Sequence, residues 1–240
     1  MMIMRPVRWS LVLLVPVLLL ATACGDSAER DVGEGAEMPA PSPRAATPGR
    51  EAAAGPHIVF LGDSLTAGYG LPADQAYPAL IERHLRETGY PHRVVNAGVS
   101  GDTSAGGLRR LEWSLRGDVE VLVIALGGND GLRGLQPSEL QRNLQAMIDE
   151  ARARGIDILL TGMEAPPNFG PRYTEEFREV YRTLAEQPGV HLVPFLLEGV
   201  AGDPALNQAD GIHPNPEGQR RVAALVWQGL EPLLDADPTP

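Results

Sequence analysis

The 240-residue sequence has one cysteine, no lysine and 5% aromatic residues, and these scarcities exclude several classes of protein. One cysteine cannot form a disulfide within the chain, so the protein is not a disulfide-stabilised miniprotein. Without lysine, neither Schiff-base chemistry nor a lysine-containing phosphate loop is available. The net charge of −11 has the wrong sign for binding a nucleic-acid backbone. A hydrophobic content of 43% still suffices for a packed core, and the length suits one domain with appendages.

The N-terminus has the organisation of a secretory signal. Two arginines precede an apolar run, Leu11 to Leu20, which is shorter than the roughly 20 residues needed to span a bilayer. The only cysteine, Cys24, follows this run directly after Ala23. The segment resembles a bacterial lipoprotein signal, in which the cysteine is lipidated and becomes the mature N-terminus. We therefore predict a signal peptide over residues 1–23 and lipidation of Cys24, with an ordinary signal peptide as the alternative.

Residues 24–55 are rich in Ala, Pro, Gly and Glu and almost lack large apolar side chains. Such a segment cannot bury enough apolar surface to offset the entropy of ordering it. We predict that it is a disordered tether between the lipidated cysteine and a folded domain over residues 56–240. The predicted location is the cell envelope, either anchored by lipid on the periplasmic face of a bacterial membrane or secreted to the periplasm.

The domain alternates short apolar runs with longer amphipathic stretches. The apolar runs are Ile58–Leu61, Arg93–Asn96, Val119–Leu126, Ile156–Thr161 and Val190–Phe195. The amphipathic stretches are Tyr77–Glu87, Ser104–Leu115, Pro137–Arg154, Thr174–Ala185 and Pro216–Leu230. Runs rich in Val, Ile and Leu without polar alternation are typical of strands that are buried on both faces. The pattern therefore predicts an α/β fold, with a parallel sheet covered by helices on both sides.

Four polar blocks lie at predicted strand ends or just before the last helix. They are Gly62-Asp63-Ser64-Leu65, the loop around Gly98, Gly128-Asn129-Asp130 and Asp210-Gly211-Ile212-His213. Each block alone is a common turn sequence. In parallel sheets, however, ligands bind beyond the carboxyl ends of the strands, so the four blocks together mark a candidate site.

Together the four blocks contain the groups that acyl transfer requires. The Ser64 hydroxyl is a nucleophile once a base removes its proton, and His213 is a suitable base. Asp210 lies three residues before His213 and can hold the imidazole in one tautomer. The backbone N–H groups of Ser64 and Gly98 and the side-chain amide of Asn129 are candidate donors to a developing oxyanion.

The same four blocks, in this order, look like those of the SGNH-hydrolase (GDSL esterase/lipase) superfamily. The residues around them are similar to its bacterial arylesterase, acyl-CoA thioesterase and lysophospholipase group. The resemblance implies a three-layer α/β/α sandwich with five parallel strands and flavodoxin-like topology, and a mechanism without metal or cofactor. It implies catalytic roles for Ser64, Asp210 and His213, and an oxyanion hole formed by Ser64, Gly98 and Asn129.

The segment Met163–Gly170 follows the fourth predicted strand and is apolar for a surface loop. We predict that Met163, Pro166 and Phe169 form a wall of an acyl pocket, the alternative being a loop packed on its own helix. Asp63 precedes the nucleophile, and we expect it to brace the loop. Three arginines near these loops, at positions 109, 110 and 133, are expected to be solvated helix charges, the alternative being contact with a substrate headgroup.

The predicted function is hydrolysis of carboxylic esters and thioesters of medium to long acyl chains by a monomeric serine hydrolase. Its partners would be a small-molecule acyl ester or lipid, and a membrane through the N-terminal lipid. A carbohydrate O-acetyl esterase of the same superfamily is the alternative. A catalytically silent binding protein and a flavodoxin-like nucleotide binder are less favoured, since the catalytic groups are intact and no glycine-rich phosphate motif is present.

Overall fold

The computed structural model describes residues 55–234, so the predicted signal peptide, Cys24 and nearly all of the tether lie outside the described residues. Five parallel strands form one sheet: β1 (His57–Gly62), β2 (Arg93–Gly98), β3 (Val119–Ala125), β4 (Asp157–Thr161) and β5 (Val190–Val193). The strand order is β2-β1-β3-β4-β5, which is the flavodoxin-like order. Each predicted strand is correct to within two residues at either end.

Residues 55–234 contain seven α-helices, of which the first six lie between strands and the seventh follows β5: α1 (Ser64–Ala67), α2 (Tyr77–Thr88), α3 (Ser104–Ser114), α4 (Gly128–Leu132), α5 (Pro137–Ala153), α6 (Pro171–Ala185) and α7 (Pro216–Leu230). Helices α3, α5 and α6 pack side by side, and α2 packs against α7. Right-handed crossovers place these two groups on opposite faces of the sheet. The predicted three-layer sandwich is therefore confirmed. Among residues 55–234, none of the helices has the length and apolar character needed to cross a bilayer.

The core lies between the sheet and the two helix layers. Strands β1, β3 and β4 are buried over most of their length, as their Val-, Ile- and Leu-rich sequences predict. The prediction was wrong for the two edge strands, which are only partly covered: Arg93 and Asn96 of β2 and His191 of β5 are exposed. Helix α6 begins three residues earlier than predicted, because Gly170 ends the preceding turn and Pro171 occupies the first helical turn.

Arg110 on α3 holds the carboxyl ends of β1 and β2 together. Its guanidinium donates hydrogen bonds to the carbonyl oxygens of Ala97 (2.6 Å) and Gly62 (2.7 Å) and to the Asp102 carboxylate (2.7 Å). The expectation of a solvated helix charge was therefore wrong for Arg110, whose side chain is only 19% exposed. Arg109 on the same helix is exposed, as expected.

We expect Arg110→Ala to lower the free energy of unfolding by about 3 kcal/mol, because two backbone carbonyls and a partly buried carboxylate lose their charged donor. Arg109→Ala is the matched control and should change it by less than about 0.5 kcal/mol. Urea unfolding of both variants checks this. Equal losses in the two variants would show that Arg110 is not a structural link.

Candidate active site

The candidate site lies where the strand order reverses, at the carboxyl ends of β1 and β3. Ser64 is the first residue of α1 and comes two residues after the end of β1. Its Oγ lies 2.9 Å from Nε2 of His213, although the two residues are 149 positions apart in sequence. The fold therefore brings the predicted nucleophile and base into hydrogen-bond contact.

The His213 imidazole is held on its other side by Asp210. Its Nδ1 lies 2.7 Å from Asp210 Oδ2, while Asp210 Oδ1 accepts the backbone N–H groups of Ile212 (2.9 Å) and His213 (3.0 Å). These hydrogen bonds, above all the one from the His213 backbone, lower the pKa of Asp210 to about 2. A neutral imidazole with its proton on Nδ1 satisfies both contacts and leaves Nε2 free to accept the Ser64 hydroxyl proton.

Gln208 connects the loop of the histidine to that of the serine. Its backbone N–H donates to the His213 carbonyl (2.8 Å). Its side-chain amide donates to the carbonyls of Tyr69 (2.7 Å) and Pro214 (3.1 Å). The Tyr69 ring packs on the His213 imidazole with a centroid distance of 4.7 Å. Our sequence reasoning missed both Gln208 and Tyr69, although each lies within five residues of a predicted block.

Gly98 is packed against α1, the helix that begins at Ser64. A Cβ on Gly98 would lie 2.3 Å from the Ala67 backbone nitrogen, so only glycine fits there. The Gly98 N–H donates to the Asn96 side-chain oxygen (3.0 Å), and the Asn96 amide donates to the Thr66 carbonyl (2.9 Å). The second predicted oxyanion donor therefore already has an acceptor in this structure. Asn96 is a further residue of the site that sequence reasoning missed.

Asn129 lies in the first turn of α4, directly after β3. Its side-chain amide donates to the Asp102 backbone carbonyl (2.9 Å) and to Asp63 Oδ2 (3.2 Å). Both amide hydrogens are thus used within the protein, and the bond to Asp63 is the longer. A substrate oxygen would have to share or displace one of these acceptors.

Asp63 braces the nucleophile turn, as expected from the sequence. Its side chain is 2% exposed, and it accepts the Leu65 backbone N–H (3.0 Å) in addition to the Asn129 amide. Burial raises the pKa of the Asp63 carboxyl to about 6, although both hydrogen bonds oppose that rise. In the neighbouring loop, the buried Asp130 carboxylate accepts both the N–H (2.8 Å) and the hydroxyl (2.6 Å) of Ser104 at the start of α3.

A cavity of about 610 Å³ opens beside Ser64 and His213 and is lined mainly by apolar groups. Met163 and Pro166 lie in its wall, where the sequence places them. Phe169 does not line the cavity; it lies on a 3-10 turn, Pro167–Phe169, and packs against the ring of Tyr173 with a centroid distance of 5.2 Å. Phe169 therefore lies outside the cavity wall in this structure and packs on α6 through Tyr173, which is the alternative that the sequence left open.

A further part of the wall comes from the segment after β5, which sequence reasoning did not consider for binding. Phe195 and Leu197 line the cavity there. Phe195 lies just beyond the end of the strand that it was predicted to complete. Within residues 55–234, no three His, Cys, Asp or Glu side chains are grouped so that they could hold a metal ion.

Comparisons with known proteins agree with this geometry. The GDSL-like Lipase/Acylhydrolase family profile matches residues 60–221. Esterase TesA of Pseudomonas aeruginosa is 51% identical over 183 residues, which cover 76% of this chain and 91% of that protein. Thioesterase 1/protease 1/lysophospholipase L1 of Escherichia coli K12 is 40% identical over 187 residues, which cover 78% and 88%. A crystal structure of TesA has a TM-score of 0.71 at 50% identity and covers 74% of this chain and 99% of its own.

The buried Asp63 makes stability depend on pH in a defined direction. The pKa of its carboxyl is about 6 in the folded protein and about 3.9 in the unfolded chain, so its contribution is complete below pH 4 and is lost as pH rises through 6. We expect the free energy of unfolding to fall by up to about 3 kcal/mol between pH 4 and 7.5 relative to Asp63→Asn, which cannot ionise.

Denaturant unfolding across that pH range measures the difference. Asp74→Asn, which removes an exposed carboxylate, is the control and should keep the wild-type dependence on pH. If Asp63→Asn unfolds with the same pH dependence as the wild type, Asp63 is not the group responsible.

Proposed function

The chain belongs to the GDSL-like lipase/acylhydrolase family, and from that premise we propose that it is a serine ester hydrolase whose catalytic residues are Ser64, His213 and Asp210. The observation that carries the proposal is the continuous hydrogen-bonded series from Ser64 Oγ through His213 to the Asp210 carboxylate, at the mouth of an apolar cavity. A nucleophile, a base and a group that orients the base are the parts that acyl transfer needs.

In the first half of the reaction, Ser64 Oγ attacks the acyl carbon while its proton passes to His213 Nε2. The Asp210 carboxylate stabilises the imidazolium that forms, and its low pKa keeps it ionised throughout. Collapse of the tetrahedral intermediate breaks the bond to the leaving oxygen or sulfur, which takes the proton from His213. Water then attacks the acyl-enzyme with His213 as base, which releases the acid and restores Ser64.

We assign the oxyanion to the N–H groups of Ser64 and Gly98 and to the Asn129 amide. In this structure the Gly98 N–H donates a hydrogen bond to the Asn96 side-chain oxygen, and the Asn129 amide donates to Asp63 Oδ2 and to the Asp102 carbonyl. A developing negative charge attracts these donors more strongly than the ground-state carbonyl does, and one such donor is typically worth about 100- to 1,000-fold in rate. The longer Asn129–Asp63 bond is the one that we expect to lengthen as substrate binds.

The proposed substrates are esters and thioesters of medium to long acyl chains. The cavity volume falls in the range of about 300 to 1,000 Å³ that is common for small-molecule sites. The similar proteins are named an esterase and a thioesterase/lysophospholipase, which supports this substrate class. From the sequence alone, we further propose a monomer that is anchored in the cell envelope by lipid on Cys24.

Replacing the nucleophile tests the chemistry directly. We expect Ser64→Ala to lower kcat on p-nitrophenyl butyrate by at least about 1,000-fold and to abolish labelling by a fluorophosphonate. Ser100→Ala is the matched control, because Ser100 also lines the cavity; it should retain most of the activity and all of the labelling. Full activity of Ser64→Ala would exclude this mechanism.

The cavity wall is tested by acyl-chain length. We expect Met163→Ala to lower kcat/KM for p-nitrophenyl octanoate about tenfold and that for the acetate less than twofold, because only the longer chain reaches an apolar wall. Phe169→Ala, outside the cavity, should leave both values unchanged. Hydrolysis of acetate esters alone by the wild type would instead favour the carbohydrate O-acetyl esterase.

A further inference from the structure

Large apolar side chains that are strongly exposed are concentrated at one end of the domain. Between residues 55 and 234 there are six of them, and five follow the carboxyl ends of strands or precede the catalytic histidine. We call these five the apolar rim: Tyr69, Val99, Leu132, Phe169 and Ile212. Each is between 41% and 53% exposed. The sixth, Trp113, lies at the end of α3, which runs back toward the amino ends of the strands.

The apolar rim surrounds the mouth of the cavity. Tyr69, Leu132 and Ile212 themselves line the cavity. Val99 and Phe169 do not, but each lies within two residues of one that does. Single exposed apolar residues are ordinary, whereas a set grouped around one opening is typical of an interaction surface.

The position of the N-terminus constrains what this surface can meet. Strand β1 begins at His57. Because all five strands are parallel, His57 lies at the amino ends of the strands, whereas the cavity mouth lies at their carboxyl ends. A short connection to a lipidated Cys24 would therefore hold the mouth away from the membrane. The 31 residues from 25 to 55 can extend to about 100 Å, whereas a domain of 180 residues is about 40 Å across. The chain is thus long enough for the mouth to face the same membrane as the anchor.

We propose that the apolar rim docks on the surface of a zwitterionic lipid aggregate, so that an acyl chain passes from the aggregate into the cavity without crossing water. This proposal rests on the proposed ester hydrolase function and specifies how its substrate is presented. The partner is a lipid surface because the rim encloses an apolar cavity rather than a polar one. It is zwitterionic because the protein without its predicted signal, which removes Arg5 and Arg8 from a chain of net charge −11, is strongly acidic and is repelled by anionic headgroups.

The binding test uses residues 25–240, which lack the proposed lipid and retain every side chain of the core, Ile58 to Leu234. Sedimentation with phosphatidylcholine vesicles measures a partition coefficient. The variant Val99→Ser/Phe169→Ser removes two rim side chains that do not line the cavity, and we expect it to lower the coefficient about tenfold or more. Trp113→Ser is the matched control, with an exposed aromatic residue outside the rim, and should partition like the wild type.

The kinetic test separates docking from chemistry. The double variant should hydrolyse soluble p-nitrophenyl acetate at the wild-type rate, and should lose most of its activity only on lysophosphatidylcholine above the critical micelle concentration. Equal partitioning of the double variant and the wild type, or an equal loss in Trp113→Ser, overturns the proposal. Vesicle binding by Ser64→Ala measures docking of the rim in the absence of catalysis. If the wild type hydrolysed no ester, the proposed function would be excluded, whereas the vesicle partition coefficients would still test the docking proposal.

Discussion

The organisation of the site depends on one buried carboxylate. Asp63 lies between the nucleophile turn after β1 and the Asn129 turn after β3, and it accepts a hydrogen bond from each. A buried carboxylate is best tolerated where donors surround it, and separation of the two turns would leave this one with the Leu65 hydrogen bond alone. The packing leaves little freedom, since a Cβ on Gly128 would lie only 3.1 Å from Asp63 Oδ2. The same group thereby positions the proposed nucleophile and one proposed oxyanion donor.

The base reaches the site in a different way. His213 belongs to a long segment between β5 and α7, so strand pairing does not position it. An isolated bridge between Asn207 and Pro214 closes this segment on itself, and Gln208 ties it to the Tyr69 loop. The Asp210 turn then holds His213 through both its backbone and its ring. This half of the site is therefore held by local turns and by a few hydrogen bonds from side-chain amides, which makes it more sensitive to single polar substitutions.

Features of this protein that depend on local sequence could be predicted, whereas contacts between residues far apart in the sequence could not. Strand and helix positions follow from local apolar periodicity, and the order of Ser64, Asn129 and His213 on strand-end loops follows from the polarity of a parallel sheet. Arg110, Asn96 and Gln208 were not predicted, because their partners are backbone carbonyls of distant loops and such acceptors leave no pattern in the sequence. The packing partner of Phe169 was not predictable for a related reason: apolar character indicates that a side chain packs against another group, but the 3-10 turn Pro167–Phe169 determines which group that is.

The direction of the parallel strands also determines where the start of the domain lies relative to the site. Because the strands are parallel, the loops that follow them lie at one end of the sheet, and the start of β1 lies at the other end. An enzyme of this fold that is tethered by its N-terminus therefore has its active site at the end far from the anchor. A tether shorter than the domain would then restrict the enzyme to substrates in solution. One longer than the domain lets the same anchor serve a surface-bound substrate. In the proposed anchored enzyme, the length of residues 25–55 would therefore determine which substrates the active site reaches, without any specific contact by those residues.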